Sequence, residues 1–422
     1  MRLYCMKRTK RLFEQLTAKS RRTGRPSRYG AAFLSATAAL WVSTPANAAS
    51  PSPANGAPPT VSATLTGRAE VVFDTKASAC EKIDIPDGPA RAFRDYSGQV
   101  HLISPMYVAR AMVGPSLSTV KHDCRVIFRS ADDPDPSHFN DRSWLMSFYT
   151  LDGRRLAALV HTEYHGWSHS GMCDDPKIGW PERGNCWWNT ITFAESKDGG
   201  YSFAAAPAPA NLVASVPYRY ERSNRLGAYG YWGPSNIVHS GTYYYAMIND
   251  WPHMAQKYGA CLIRTTDVFD AKSWRAWDGR AFTIRFVNPY GDAREPATDH
   301  VCSPVLRGDA ESLVVDEKTG YFVVDQFTKD GRFGHPGLYL TASRDLIHWS
   351  KPSLVASTYD LQQEDHGSGI YIYFSLIDPS STDRNFSTIG DSTYVYYVRI
   401  ESKHSPYVRT LIRRKINIRI GE

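Results

Sequence analysis

The sequence lacks the local signatures of several large enzyme classes. It has no HExxH pair, no glycine-rich phosphate loop and no GxSxG elbow; the stretch GPSN at 233–236 is not one. Nucleotide and zinc-protease chemistry are therefore unsupported. No two cysteines stand at the close spacing of zinc ligands, so no metal site is read from them. Long apolar stretches with helical period are scarce. A strong charge of one sign is missing too. The formal charge is +7, but residues 1–48 hold ten Lys/Arg and one Glu, a net +9 that leaves about −2 for the rest. The basic balance is no argument for nucleic acid, and no such partner is expected.

The basic stretch KRTKRLFEQLTAKSRRTGRPSR is followed by the short apolar run YGAAFLSATAALWV and then by STPANA. That order reads as a secretory signal over residues 1–48, cleaved after Ala48. The run is too short and alanine-rich for a stable membrane anchor, so a secreted or periplasmic protein is expected. Residues 49–65 are read as a Pro/Ala/Ser-rich disordered linker, and residues 66–422 as one domain, expected to be monomeric. Beyond the signal six cysteines remain: Cys80, Cys124, Cys173, Cys186, Cys261 and Cys302. An even number in an exported chain points to disulfides. Six cysteines allow 15 connectivities, which sequence does not decide; nearest-neighbour pairing is the working expectation.

What the chain has is aromatics, Tyr and Trp above all, in short alternating segments joined by Gly- or Asp-containing turns. Five groups follow one another, each opening on a hairpin: around DYSG, around LDG, then SNIVHSGTYYYAMIND, ESLVVDEKTGYFVVDQF and YIYFSLIDPSSTDRNFSTIGDSTYVYYVRI. In groups two to four the third strand leads into a Ser/Thr, an Asp, a turn and an aromatic: TFAESKDGGYSF, LIRTTDVFDAKSWRAW and YLTASRDLIHW. Asp side chains cap such turns by accepting backbone N–H bonds. The turns are read as joining the outer two strands of repeated four-stranded units. The expectation is an all-β fold, a five-bladed β-propeller of four-stranded antiparallel blades.

SKDGGYSF resembles the Asp-box of sialidases, which is a structural turn. DGPARAFRDYSGQVHLI, WGPSNIVHSGTYYYAMI, DAESLVVDEKTGYFVV and TASRDLIHWSKP together resemble the five-bladed propeller glycoside hydrolases of families 43, 62 and 117, over roughly residues 80–415. The resemblance implies a carbohydrate substrate, inversion of configuration, and a triad of Asp, Asp and Glu before the inner strands of the first three blades. Asp87 and Asp141 suit the first two positions. The third blade offers YWGPSN without an acid, and the Glu comes one blade later, at Glu311. Family 117 also implies a histidine as proton donor, which matches His300.

Inner strands of a propeller converge on its axis, and glycoside hydrolysis needs two carboxyl groups there, one protonated and one ionised. Asp87, before the first inner strand, is the general-base candidate. Glu311, before the fourth, is the general-acid candidate, with Asp309 its understudy. Glu163, in VHTEYHG, is a further acid or substrate contact, and Asp141 a carboxylate that tunes it. Arg91, His161, Trp232, Ser235 and Asn236 are the expected substrate-binding residues, with Trp232 as the platform for the apolar face of a sugar. No cofactor is required by this chemistry, although an axial calcium ion held by carboxylates is conceivable. Two rivals remain: a carbohydrate-binding propeller without catalysis, and a sialidase- or polysaccharide-lyase-like enzyme using His161 and Tyr164.

Overall fold

The computed structural model describes residues 58–175, 185–225, 227–291, 296–364 and 369–421. The expected signal segment lies outside them. Five groups of strands follow one another along the chain and are called the first to fifth sheets; strand pairing runs on from the second into the third. The first holds Arg91–Arg94, Val100–Ile103, Met112–Gly114 and Lys121–His122. The second holds Arg142–Thr150, Leu156–His165 and Trp187–Ser196, with Ala204–Ala205 and Leu212–Ala214 on its outer edge. The third holds Val238–Ser240, Tyr243–Trp251, Gly259–Thr265 and Arg275–Ala276. The fourth holds Ser312–Asp316, Phe322–Thr328, Gly337–Ser343 and Ser353–Ser357. The fifth holds Ile370–Ile377, Tyr394–Ser402 and Ser405–Gly421, and its outer strand is Thr60–Asp74 from the other end of the chain. An extra strand, Tyr229–Trp232, stitches the second sheet to the third.

Hydrogen bonds between sheets close a circle. Tyr96 N donates to the Gly153 carbonyl (3.0 Å), and Ser147 Oγ donates to the Ser235 carbonyl. Leu313 N donates to Asn236 Oδ1 (2.8 Å) and Leu376 N to Ser312 Oγ (3.1 Å). Arg94 N donates to the Arg384 carbonyl (2.8 Å), returning to the first sheet. The apolar core divides the same way. Five clusters of buried side chains fill the five junctions, around Leu145/Phe93, Ile191/Ile248, Leu262/Leu313, Val314/Val395 and Leu102/Tyr396. The fold is thus an all-β propeller with the expected hairpin groups as its blades. Non-polar packing between faces of neighbouring sheets is its main source of stability.

The N-terminal boundary is corrected. Thr60 to Leu65 pair in register with Gly421 to Ile416, so the linker expected through residue 65 ends by Thr60. A polar strand gives no sign of its partner when the partner lies at the far end of the chain. Cysteine pairing is nearest-neighbour: Cys80–Cys124, Cys173–Cys186 and Cys261–Cys302.

The Asp turns behave as their sequences imply. In SKDGGYSF, Asp198 Oδ1 accepts from Ser202 N (3.0 Å) and Ser196 Oγ accepts from Gly200 N (2.9 Å). Gly200 has φ +92°, and a Cβ there would stand 2.4 Å from the Phe93 ring of the first sheet, so glycine serves both the turn and the close approach. Asp345 takes the N–H groups of Ile347 and His348 in the same way. No helix among the described residues is long and apolar enough to cross a membrane.

Candidate active site

Three of the predicted acids, from three sheets, stand near enough to Tyr373 for their charges to act on its hydroxyl. Asp87 stands in the segment entering the first sheet. As a carboxylate it accepts from Arg409 Nη1, from the Tyr373 hydroxyl (3.2 Å) and, on its other oxygen, from Trp144 Nε1 (3.2 Å). Tyr373 sits at a bulge in the inner strand of the fifth sheet, at φ +57°. That region is costly for a bulky residue and persists only where the surroundings over-determine it. Burial, and then the charges of Asp87, Glu163 and Glu311, hold the phenol well above its ordinary pKa, with Arg409 opposing.

Glu163 lies at the end of the second strand of the second sheet. Its Oε2 is 2.6 Å from His165 Nε2, and its Oε1 is 3.6 Å from His161 Nε2. Burial first, then the charges of Asp87 and Asp141, push its carboxyl up to about 8 against the pull of His161. Burial likewise takes His165 down to about 4. Both shifts favour the neutral pair, a carboxylic acid donating to an imidazole. His161 Nε2 donates to Asn189 Oδ1 (3.0 Å), an oxygen aimed there because Asn189 Nδ2 donates to the Tyr229 carbonyl.

Glu311 enters the fourth sheet with its backbone gripped on both sides. Its N–H donates to the Asp325 carbonyl (3.0 Å), and its carbonyl accepts from Arg91 Nη2 (2.5 Å). Before it, Asn249 takes the Ala310 N–H on Oδ1 (2.7 Å) and returns Nδ2 to the Ala310 and Gly233 carbonyls. After it, Ser312 N donates to Asp325 Oδ1 (2.6 Å). The Glu311 carboxyl itself has no hydrogen bond among the described residues. Burial, with the nearby charges of Asp325 and Asp309, pushes it up to about 8, opposed by Arg91 and Lys329. Asp309, bonded by the Tyr258 hydroxyl (2.9 Å), is pushed up to about 6, chiefly by burial.

Aromatic rings surround Glu163. Trp144 lies 5.9 Å from His161, and Trp167 stacks on His165 at 4.3 Å. Trp187 meets His165 and Trp251 edge-on, and Trp251 stacks on Trp232 at 4.9 Å. Trp232, 6.4 Å from His161, is partly exposed, as are Trp167, Trp187 and Trp251.

The other expected residues have their own placements. Ser235 and Asn236 are buried: Ser235 Oγ accepts from Met247 N of its own sheet, its carbonyl accepts from Ser147 Oγ of the second, and Asn236 Oδ1 accepts from Leu313 N of the fourth. A polar dipeptide at a propeller junction reads like a binding loop, because both leave apolar periodicity. Arg91 is buried, and its guanidinium spans to the carbonyls of Pro234 and Glu311, so it supports the site from beneath instead of touching solvent. Asp141 is almost wholly buried. Its Oδ2 accepts from His165 N (2.8 Å), so it holds the end of the strand that carries Glu163, while burial raises its own pKa. His300 Nδ1 is 2.7 Å from the Arg285 carbonyl, in the loop after the third sheet; its described contact is not with the three acids. Tyr164, needed by the lyase rival, spends its hydroxyl on the Pro134 carbonyl.

Tyr373, Arg409, Asn249 and His165 were not identified as site residues from the sequence. Only His165 carried a signal, as the last residue of HTEYH beside Glu163.

No protein-family model matches the chain, and no curated protein does. Among solved structures, it is similar to a thermostable family-43 glycoside hydrolase at 12% identity, covering 80% of this chain and 91% of that one, with a TM-score of 0.43. It is similar to an endo-arabinase from Bacteroides thetaiotaomicron at 11% identity, over 84% and 99% of the two chains, with a TM-score of 0.46. The catalytic domain of a GH62 alpha-L-arabinofuranosidase from Coprinopsis cinerea aligns at 9% identity, over 83% and 96%, with a TM-score of 0.42.

Proposed function

We propose that this protein is a glycoside hydrolase acting on a poly- or oligosaccharide. The observation that carries the reading is the nearness of Asp87, Glu163 and Glu311 to Tyr373, with Glu163 and Glu311 pushed up to about 8 and Asp87 paired with Arg409. Asp87, paired with Arg409 and accepting from Tyr373 and Trp144, is the base that takes a proton from water. Glu311, pushed up to about 8 and free of a described hydrogen bond, is the acid that protonates the leaving oxygen. Glu163, protonated and tied to His165, binds a sugar hydroxyl beside them. The tryptophans supply an apolar wall for sugar C–H faces. Water attacking from the Asp87 side gives inversion, which needs the two carboxyls roughly 6.5–9.5 Å apart.

A carbohydrate-binding propeller needs the tryptophans but no buried protonated acids. A tyrosine-nucleophile mechanism fares badly as well, because Tyr373 among three carboxyls resists becoming a phenoxide. Export fits the three disulfides and the leader-like residues 1–48. The test is hydrolysis of a panel of plant, algal and bacterial glycans by purified protein, with Asp87→Asn and Glu311→Gln as controls. The reading requires reducing ends released by the wild type and not by either variant. Activity surviving both substitutions contradicts it.

A further inference from the structure

Near the end of the strand that carries Glu163, three ligand-type side chains face one another, two of them buried and one exposed. Asp141 precedes the inner strand of the second sheet and is about 1% exposed. Its Oδ1 is buried and accepts no hydrogen bond among the described residues. His169 follows the 3-10 turn Gly166–Ser168. Its side chain is 8% exposed, and its Nε2 is buried with no properly aligned hydrogen bond, although Asp141 Oδ2 is only 3.1 Å away. Stacking on Tyr164, at 5.4 Å and 25°, fixes the plane of the imidazole. Asp132, at the mouth of the loop, completes the group, and one donor atom from each of the three lies within 4.8 Å of the others. Its backbone N–H donates to the Asp141 carbonyl (3.1 Å), so the loop holds the two aspartates together.

The buried Asp141 Oδ1 without a hydrogen bond carries a large desolvation cost, and the buried His169 Nε2 has only its contact with Asp141 Oδ2. One positive ion within bonding reach of both would remove it. Arg142 only half fills that role: its Nη2 pairs with Asp132 at 2.9 Å, but its Nε stays 4.0 Å from Asp141 Oδ1. Two other clusters contain cysteines, at Cys80/Asp84/His122 and Asp250/Cys261/Cys302, but those sulfurs are in disulfides and do not bind metal as thiolates.

We propose that Asp132, Asp141 and His169 bind a divalent transition-metal ion. One imidazole and two carboxylates, completed by water, is a donor set for zinc or manganese in preference to calcium or magnesium, which favour all-oxygen sites. The ion would displace Arg142 from Asp132 and clamp the loop before the inner strand to the turn after Glu163. Asp141 already holds His165 N, so the clamp would steady the strand end from which Glu163 and His165 project.

The test uses the untagged, disulfide-intact protein, treated with chelator and desalted, then titrated with zinc chloride in a calorimeter. Thermal unfolding is followed with and without zinc. Wild type should bind one equivalent and unfold at a higher temperature with zinc present. Asp132→Asn and His169→Gln should each weaken binding at least tenfold and lose that shift. Asp132 is exposed and its substitution leaves the core intact, so loss of zinc in that variant reports the site and not misfolding. No stoichiometric zinc in the wild type, or either variant binding as tightly as wild type, overturns the proposal.

Discussion

Glu311→Gln tests whether the fold holds a carboxyl in its acid form, and it does so without any substrate. Burial pushes Glu311 from its ordinary 4.5 up to about 8. The folded state then binds one more proton than the unfolded chain between those two values. The sign follows: the protonated acid costs nothing below about pH 4.5, and stability falls as pH rises to about 8, where the loss is complete. One proton corresponds to about 1.4 kcal/mol per pH unit, so over roughly 3.5 units the loss is on the order of 5 kcal/mol. Glutamine is neutral throughout and close in shape to the protonated acid. The variant should match the wild type near pH 4 and exceed it progressively up to pH 8, the gap widening by about 1.4 kcal/mol per unit. Glu163 and Asp250, also pushed up to about 8, titrate in both proteins and drop out of the difference. Urea unfolding, read by tryptophan fluorescence at half-unit pH steps, measures it. A gap that stays constant with pH, or narrows as pH rises, refutes a Glu311 held protonated by its site.

Other expectations bear on the support of the site. Arg409→Met leaves the Asp87 carboxylate without its buried partner and should cost about 3–5 kcal/mol; adding Asp87→Asn should recover much of it, and a double-mutant cycle by urea unfolding measures the recovery. Asn249→Ala strips two hydrogen bonds from Ala310, just before Glu311, and one from Gly233, and should lower kcat with little change in KM, at about 1–3 kcal/mol of stability. If Trp232 is a sugar platform, Trp232→Ala should raise KM about tenfold, equivalent to about 1.4 kcal/mol, and leave kcat nearly unchanged.

Much of the fold was legible because propeller strands alternate and their turns need particular residues. The hairpins at DYSG and LDG, and the Asp turns at Asp198 and Asp345, appear where Gly and Asp stand in the sequence. The closing strand Thr60–Asp74 was not, since its partner is some 350 residues away and it is largely exposed. At the site, Asp87 and Glu311 were legible as acids just before inner strands, and Glu163 as an acid at the end of an apolar alternation. The burial of Ser235, Asn236 and Arg91 was not legible, because a polar residue at a blade junction and one facing a substrate leave the same mark. Tyr373 and Arg409 gave no mark at all: their roles come from a bulge and from long-range pairing, neither of which is a local pattern. Asn249 was hidden for a similar reason, since its partner Ala310 lies in the next sheet.

The central claim is that Asp87 and Glu311, on separate sheets and both near Tyr373, divide base and acid between them. Leaving-group dependence tests it most directly, once the glycan panel identifies the sugar. Kinetics of both variants on the natural linkage are compared with those on an aryl glycoside of the same sugar, whose phenolate leaves without needing a proton. Glu311→Gln should lose most of its activity on the natural linkage and keep it on the aryl glycoside, while Asp87→Asn loses both. Equal loss on the two substrates by Glu311→Gln, or full activity of Asp87→Asn on either, contradicts the assignment.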